Sequence, residues 1–277
     1  MKLDTSSYYP KSPLDDEEFP ESSEVSENSD VSENSENSDV SENSEVSENS
    51  EVSESSESSE SSEPAGPSGP VGQAVTNISH LLSWLLVPLM MPVYGTLLAF
   101  GLSILAFTGM GVRIAFVGVV FAFNVLIPSL AVIILKRMGF VRDIGLNDRD
   151  ERLVPYLICI TGLVGTALFM SYKGAPEWLV MFYYGGAAAG LVEVVINRWW
   201  KISVHSAGIA GLVAMLLHLL LYDYSLPSTF AWLLVAVALA GMLGSARIWL
   251  GRHTLGQVLA GYAVGFCAVY FLMMIRA

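Results

Sequence analysis

Three polar clusters sit at the edges of long apolar segments, and their residue types fit one chemistry. The first is Asn147-Asp148-Arg149-Asp150-Glu151-Arg152, just before an apolar stretch that begins at Leu153. The second is Lys201-Ile202-Ser203-Val204-His205, and the third is Arg247-x5-His253 with Gln257 one helical turn further on. Cationic and imidazole groups are costly near lipid, so such clusters are functional candidates by default. Arg149 and Arg152, three apart, share one helical face, and a guanidinium fork matches two phosphate oxygens. A helix opening near Ser203 would present free N–H groups and a positive dipole end to an anion, with Ser203 as its cap. His205 is placed to protonate a leaving oxygen. Gln257, four residues after His253, can accept a hydrogen bond from the imidazole, which fixes the tautomer and leaves the other nitrogen nucleophilic. Together these residues could hold a phosphate and pass it to a histidine.

Each cluster also has a plainer reading. Two arginines at a helix end are positive-inside anchors, and a lone histidine at a helix start is an interfacial polar residue. His218 takes that plainer reading, because it lies mid-segment with no accompanying cluster. What raises the three clusters above it is their order and their convergence.

That convergence depends on the elements carrying them. Seven apolar segments are long enough to cross a bilayer, which takes about 20 helical residues: Leu81–Thr108, Ile114–Leu135, Leu153–Tyr172, Trp178–Ile196, Ile202–Tyr222, Ser228–Ala246 and Thr254–Ile275. The first carries Pro88, Pro92 and Gly95, so a kink or a re-entrant turn is expected there. Gly186-x3-Gly190 and Gly261-x3-Gly265 allow close helix approach. If all seven segments span, the connections 136–152, 197–201 and 247–253 share one side with the N-terminal tail, and 109–113, 173–177 and 223–227 share the other. The first group holds the three clusters. The fold class expected is therefore an all-α integral membrane bundle of six to seven transmembrane helices, over residues 76–277, behind a tail and linker at 1–75.

The tail is a different kind of polymer. Twenty of the 27 acidic residues lie within residues 1–63, against only Lys2 and Lys11. The rest of the chain has 7 acidic and 12 basic residues, a net of +5, so the overall charge of −13 describes the tail alone. From Glu21 to Glu63 the unit is acid-x-Ser, with x drawn from Val, Asn and Ser. Dense like charge and low hydrophobicity leave nothing to offset chain entropy, so disorder is expected there. A linker, Pro64-Ala-Gly-Pro-Ser-Gly-Pro70, follows. No cleavable signal peptide is apparent after Met1-Lys2-Leu3-Asp4. Cys159 and Cys267 both fall in apolar segments and are expected as packing residues rather than a disulfide.

The three clusters resemble the type 2 phosphatidic acid phosphatase superfamily, whose pattern is K-x6-R-P, then P-S-G-H, then S-R-x5-H-x3-D. Arg247-x5-His253 matches the third motif in type and spacing. Ser203-Val204-His205 corresponds to the second, with Ile202 for its proline and Val204 for its glycine. Arg149 and Arg152, with Pro155 nearby, stand where the first belongs, and either arginine can be the match. Lys201 has no counterpart and is a candidate substitute for the first-motif lysine. Gln257 stands where the family has aspartate, and Ala246 replaces a serine, with Ser245 adjacent. The resemblance covers roughly residues 78–277. It implies that His253 forms a phosphohistidine, that His205 protonates the leaving alcohol, and that Arg247 with Arg149 or Arg152 holds the phosphoryl oxygens. Ser203 would add a hydroxyl or backbone contact.

The first functional expectation is thus a phosphatase acting on a membrane lipid phosphate or diphosphate, with the lipid bilayer and that substrate as partners. A catalytically silent relative that binds lipid headgroups is the second, because a glutamine cannot supply the missing negative charge. A transporter is the third and would use Glu193, which could instead pair with Arg198 or Lys201 at the interface. No nucleic-acid motif, cofactor motif or metal-type spacing is present, and phosphohistidine chemistry needs no metal. The expected location is a bacterial inner membrane. Its side is open: the positive-inside count places the site in the cytoplasm, whereas the resemblance implies an outer or lumenal face.

Overall fold

Pro70 occupies the first turn of the first helix, where its missing N–H removes no hydrogen bond. Helix α1 therefore runs over Pro70–Leu85, starting inside the segment read as tail and linker and well ahead of Leu81. Pro88 then opens a short 3₁₀ turn, Pro88–Met90, and Pro92 sits in the first turn of α2, Met91–Leu102. Neither proline can donate to the preceding helix, so the chain stops and restarts instead of bending smoothly. The two halves meet at 41°. The single first span expected from the sequence is thus a broken element, and the reason is the pair of prolines within it.

The computed structural model describes residues 69–140, 153–222 and 226–275, all belonging to one compact unit, Ser59–Ala277. The acidic repeat, Arg149 and Arg152 lie outside the described residues. Helix α3, Met110–Phe121, continues through a π turn, Ala122–Leu126, into α4, Ile127–Arg137. Pro128 lies in the first turn of α4, and the π turn just ahead accommodates the backbone bond it cannot make. Four helices follow at nearly constant length: α5 Leu153–Tyr172, α6 Glu177–Asn197, α7 Val204–Tyr222 and α8 Thr229–Trp249. Helix α9, Leu255–Met274, ends the bundle. At 1.5 Å per residue each of α5–α9 is about 30 Å long, the thickness of a hydrocarbon core. Among the described residues there are no strands. Six helical stretches among the described residues are long and apolar enough to cross a membrane, and a seventh if α1 and α2 count as one broken span. The protein is an all-α integral membrane bundle.

Helix α7 is its centre: 61% of its most apolar stretch is buried, against 17% for α3–α4. It packs on α9, α8 and α6. The glycines expected to allow close approach are what bring these helices together. A Cβ on Gly261 would collide with the Ser203 carbonyl, and one on Gly265 with the Ala207 carbonyl, so α9 lies directly on the α7 backbone. A Cβ on Gly190 would fall 2.9 Å from Ile160, and one on Gly186 3.5 Å from Leu163, so that pair faces α5. Outward-facing Trp84, Phe107, Ile114 and Leu168 are exposed, as expected where lipid rather than water is the solvent.

Two hydrogen bonds fix which ends share a face. The Leu102 carbonyl at the end of α2 accepts from Leu226 N–H at 3.0 Å and from the Thr229 hydroxyl at 3.3 Å. The α7–α8 connection and the end of α2 therefore lie together at one end of the bundle. The 198–203 and 250–254 connections lie at the other.

Candidate functional site

The spacing Arg247-x5-His253 follows from how α8 stops and α9 starts. Gly251 has φ +63°, a left-handed conformation that suits glycine. Its N–H bonds the Ile248 carbonyl at 2.9 Å, and Arg252 N–H bonds the Arg247 carbonyl at 3.1 Å, the Schellman pattern that closes a helix. The same Arg247 carbonyl accepts from His253 N–H at 3.3 Å. Thr254 then caps α9: its hydroxyl accepts from Gln257 N–H at 3.4 Å, and the Gln257 side chain accepts in return from Thr254 N–H at 3.2 Å. This reciprocal capping box leaves no slack between Arg247 and His253.

It also settles the state of the imidazole. A backbone N–H can only donate, so the Gln257 atom that Thr254 N–H meets is the oxygen Oε1. His253 Nδ1 meets that same oxygen at 3.1 Å and must therefore carry the hydrogen. In the neutral ring Nε2 then carries the lone pair. His253 is buried at 9% exposure and lines a cavity of about 410 Å³. Nδ1 is turned to Gln257.

His205 and Arg247 line the same cavity, and Arg247 and His253 lie close enough to His205 to act on it electrostatically. His205 Nε2 lies 3.3 Å from the Ser83 carbonyl of α1. A carbonyl only accepts, so Nε2 is the protonated nitrogen. Helix α1 is fixed again at Trp249, whose Nε1–H donates to the Thr76 hydroxyl at 3.1 Å. The N-terminal helix thus braces the site, a role that sequence reading missed because its Pro/Gly start resembles a linker.

Other residues singled out from the sequence are placed differently. The Ser203 hydroxyl accepts from Ser206 Oγ at 2.9 Å and Ser206 N–H at 3.4 Å, and Ser203 N–H donates to the Gln257 carbonyl at 3.3 Å. Fully buried, it caps α7 and joins the two site turns; it does not line the cavity. Lys201 is half-buried and also lies off the cavity wall. Ser245 is exposed, and its hydroxyl bonds the Gly241 carbonyl of its own helix at 2.9 Å. Pro155 and Tyr156, soon after Arg152 in the chain, do line the cavity. Glu193 does too. It is 4% exposed, and its Oε1 has no hydrogen-bond partner among the described residues. Asn124, in the π turn, is a cavity residue that sequence reading missed. A lone amide within an apolar span was the available signal. Cys159 borders the cavity as well, and both cysteines are free.

Apart from this polar group the walls are apolar, formed by Met91, Pro92, Ile160, Leu163 and Phe182 among others. Fold and site together define a polytopic helical membrane protein with an intramembrane cavity that carries two histidines and an arginine at one end of the bundle. Comparison with family models, curated proteins and solved structures returned no match.

Proposed function

We propose that this protein is a membrane phosphatase that hydrolyses a lipid phosphate or diphosphate through a phosphohistidine intermediate, as a divergent member of the type 2 phosphatidic acid phosphatase superfamily. One observation carries the reading: a histidine locked by its neighbours into the Nδ1–H tautomer shares a largely apolar cavity with a second histidine and an arginine.

In this mechanism Nε2 of His253 attacks phosphorus as the bond to the lipid oxygen breaks. His205 acts as the imidazolium and delivers its Nδ1 proton to that oxygen, returning to the neutral Nε2–H ring as the alcohol leaves. Water then attacks the phosphohistidine while His205 takes its proton, and inorganic phosphate departs. Arg247 neutralises the non-bridging oxygens, where charge is highest in the transition state. Arg149 and Arg152 are proposed as further phosphate ligands. Lys201 contributes positive potential from nearby. Ser203 acts through the helix start it caps rather than by direct contact. An apolar cavity between helices favours a lipid, which can enter sideways, over a soluble ester. A bacterial inner membrane fits this substrate class.

The test is phosphate release by the detergent-purified full chain from phosphatidate, phosphatidylglycerol phosphate and polyprenyl diphosphate, with His253→Ala alongside. The reading expects EDTA-insensitive release by the wild type and none by the variant. Strict metal dependence, or equal release by both, would refute it. A silent headgroup binder is the second reading, favoured by the neutral Gln257. It expects lipid binding without release by the wild type, and release restored by Gln257→Asp.

A further inference from the structure

Two buried oxygens in the cavity have no donor among the described residues, and they come from different helices. Asn124 is 4% exposed, and the hydrogen bonds around it fix which way its amide points. One Nδ2 hydrogen goes to the Val120 carbonyl at 3.0 Å, and the other to Thr166 Oγ1 at 2.7 Å. Thr166 spends its own hydrogen on the Gly162 carbonyl at 2.8 Å, so it can only accept from Asn124. The nitrogen is therefore fully used, and Oδ1 is the atom left over, buried and unpartnered. The seat is built closely: a Cβ on Gly162 would fall 2.5 Å from the Phe123 carbonyl and 3.7 Å from Asn124 Oδ1. Glu193, on α6, is likewise 4% exposed, and its Oε1 has no partner. Both side chains line the same cavity as His205, Arg247 and His253.

Buried polar atoms are nearly always hydrogen-bonded, and the exceptions call for an explanation. Here the two exceptions are of one kind. Both are acceptors, and one of them can carry a full negative charge. The cavity thus holds Arg247, His205 and His253 together with two acceptor oxygens contributed by other helices. We infer that Glu193 and Asn124 form an acceptor subsite for a hydrogen-bond donor, a hydroxyl or an ammonium, on the headgroup of a phosphate-bearing lipid. The inference rests on the phosphatase reading for the phosphate end of that ligand and extends it to headgroup selectivity. Glu193 and Asn124 are positioning and specificity residues in this scheme and take no part in bond making.

Binding is measured in the His253→Ala background, so that nothing is turned over, by thermal shift of the full chain in detergent. Three probes share a phosphate and differ beside it: a lipid phosphate with a free hydroxyl, one with an ammonium, and phosphatidate with neither. The subsite predicts that at least one donor-bearing probe binds about tenfold or more tightly than phosphatidate, the scale of one hydrogen bond to a charged group. Glu193→Leu, close in size, should bring that ratio to about 1. Glu193→Gln keeps an acceptor but loses the charge, so it should abolish a preference for ammonium and retain one for hydroxyl. Asn124→Leu should lower the ratio independently, which covers the event that a Glu193 variant fails to fold. Equal binding of all three probes, or a preference untouched by every variant, would overturn the subsite and leave the phosphatase reading intact. Failure of all three probes to bind would also overturn it, and absence of His253-dependent release by the wild type would then bring down the phosphatase reading separately.

Discussion

The two histidines of the site are held in opposite ways. His253 sits in a turn where six backbone and side-chain bonds interlock, from Gly251 through the Thr254–Gln257 box. His205 rides on the first turn of α7, and its ring bonds the Ser83 carbonyl of a helix set off from α2 by a 41° break. A nucleophile benefits from a fixed tautomer and direction, since attack needs the lone pair aimed at phosphorus. An acid that must give up a proton and later recover one benefits from a weaker hold. The contrast fits the proposed roles of nucleophile and acid, and it can be broken by experiment.

The largest effect is expected at the rigid turn. His253→Ala should lower phosphate release by at least about 10⁴-fold, because no other group can accept the phosphoryl. His205→Ala should cost less, roughly 10²–10⁴-fold, the usual contribution of a general acid. Its effect should shrink for substrates with a good leaving group such as p-nitrophenyl phosphate, a difference measured by comparing kcat on the two substrates. A similar loss on both substrates would mean that His205 binds phosphate instead.

Gln257 sharpens the comparison, because it joins cap to nucleophile. Gln257→Leu removes the oxygen shared by Thr254 and His253, and a loss of roughly 10²-fold or more in kcat is expected, toward the penalty seen when an imidazole loses its orienting partner. The helix start should weaken by about 1 kcal/mol. Gln257→Asp should raise kcat, since a carboxylate keeps the acceptor and adds charge. A smaller, purely structural effect is expected at the seam between the turns. Gly265→Ala pushes a Cβ into the Ala207 carbonyl and should destabilise the bundle by roughly 1–3 kcal/mol. Gly241→Ala, with nothing within 4 Å of the added carbon, should leave melting in detergent unchanged. The smallest change is at the brace: Trp249→Phe breaks one bond to Thr76, worth roughly 0.5–1.5 kcal/mol. It should affect release only as far as α1 positions His205.

How much of this was legible in the sequence follows from the range of the forces involved. Span number, the paired glycines and the His253–Gln257 contact depend on spacings within one helix or turn, and all could be read from the chain. Helix α1 was not legible, because Pro70 opens a helix and ends a linker with equal ease, and only packing against α8 decides. Ser203 was legible as a cap but not as a buried one, since its partner Gln257 lies on another helix. The facing of Glu193 and Asn124 into one cavity is a tertiary fact. Their residue types alone, rare in apolar spans, gave the warning.

The most direct measurement is a rapid acid-free quench of the purified protein during turnover of a lipid phosphate, followed by mass spectrometry of the peptide that contains residues 253–257. A phosphoryl group on His253, absent from His253→Ala and increased in His205→Ala with a good-leaving-group substrate, is the predicted result. Release of phosphate with His253 never modified would contradict the account at its centre.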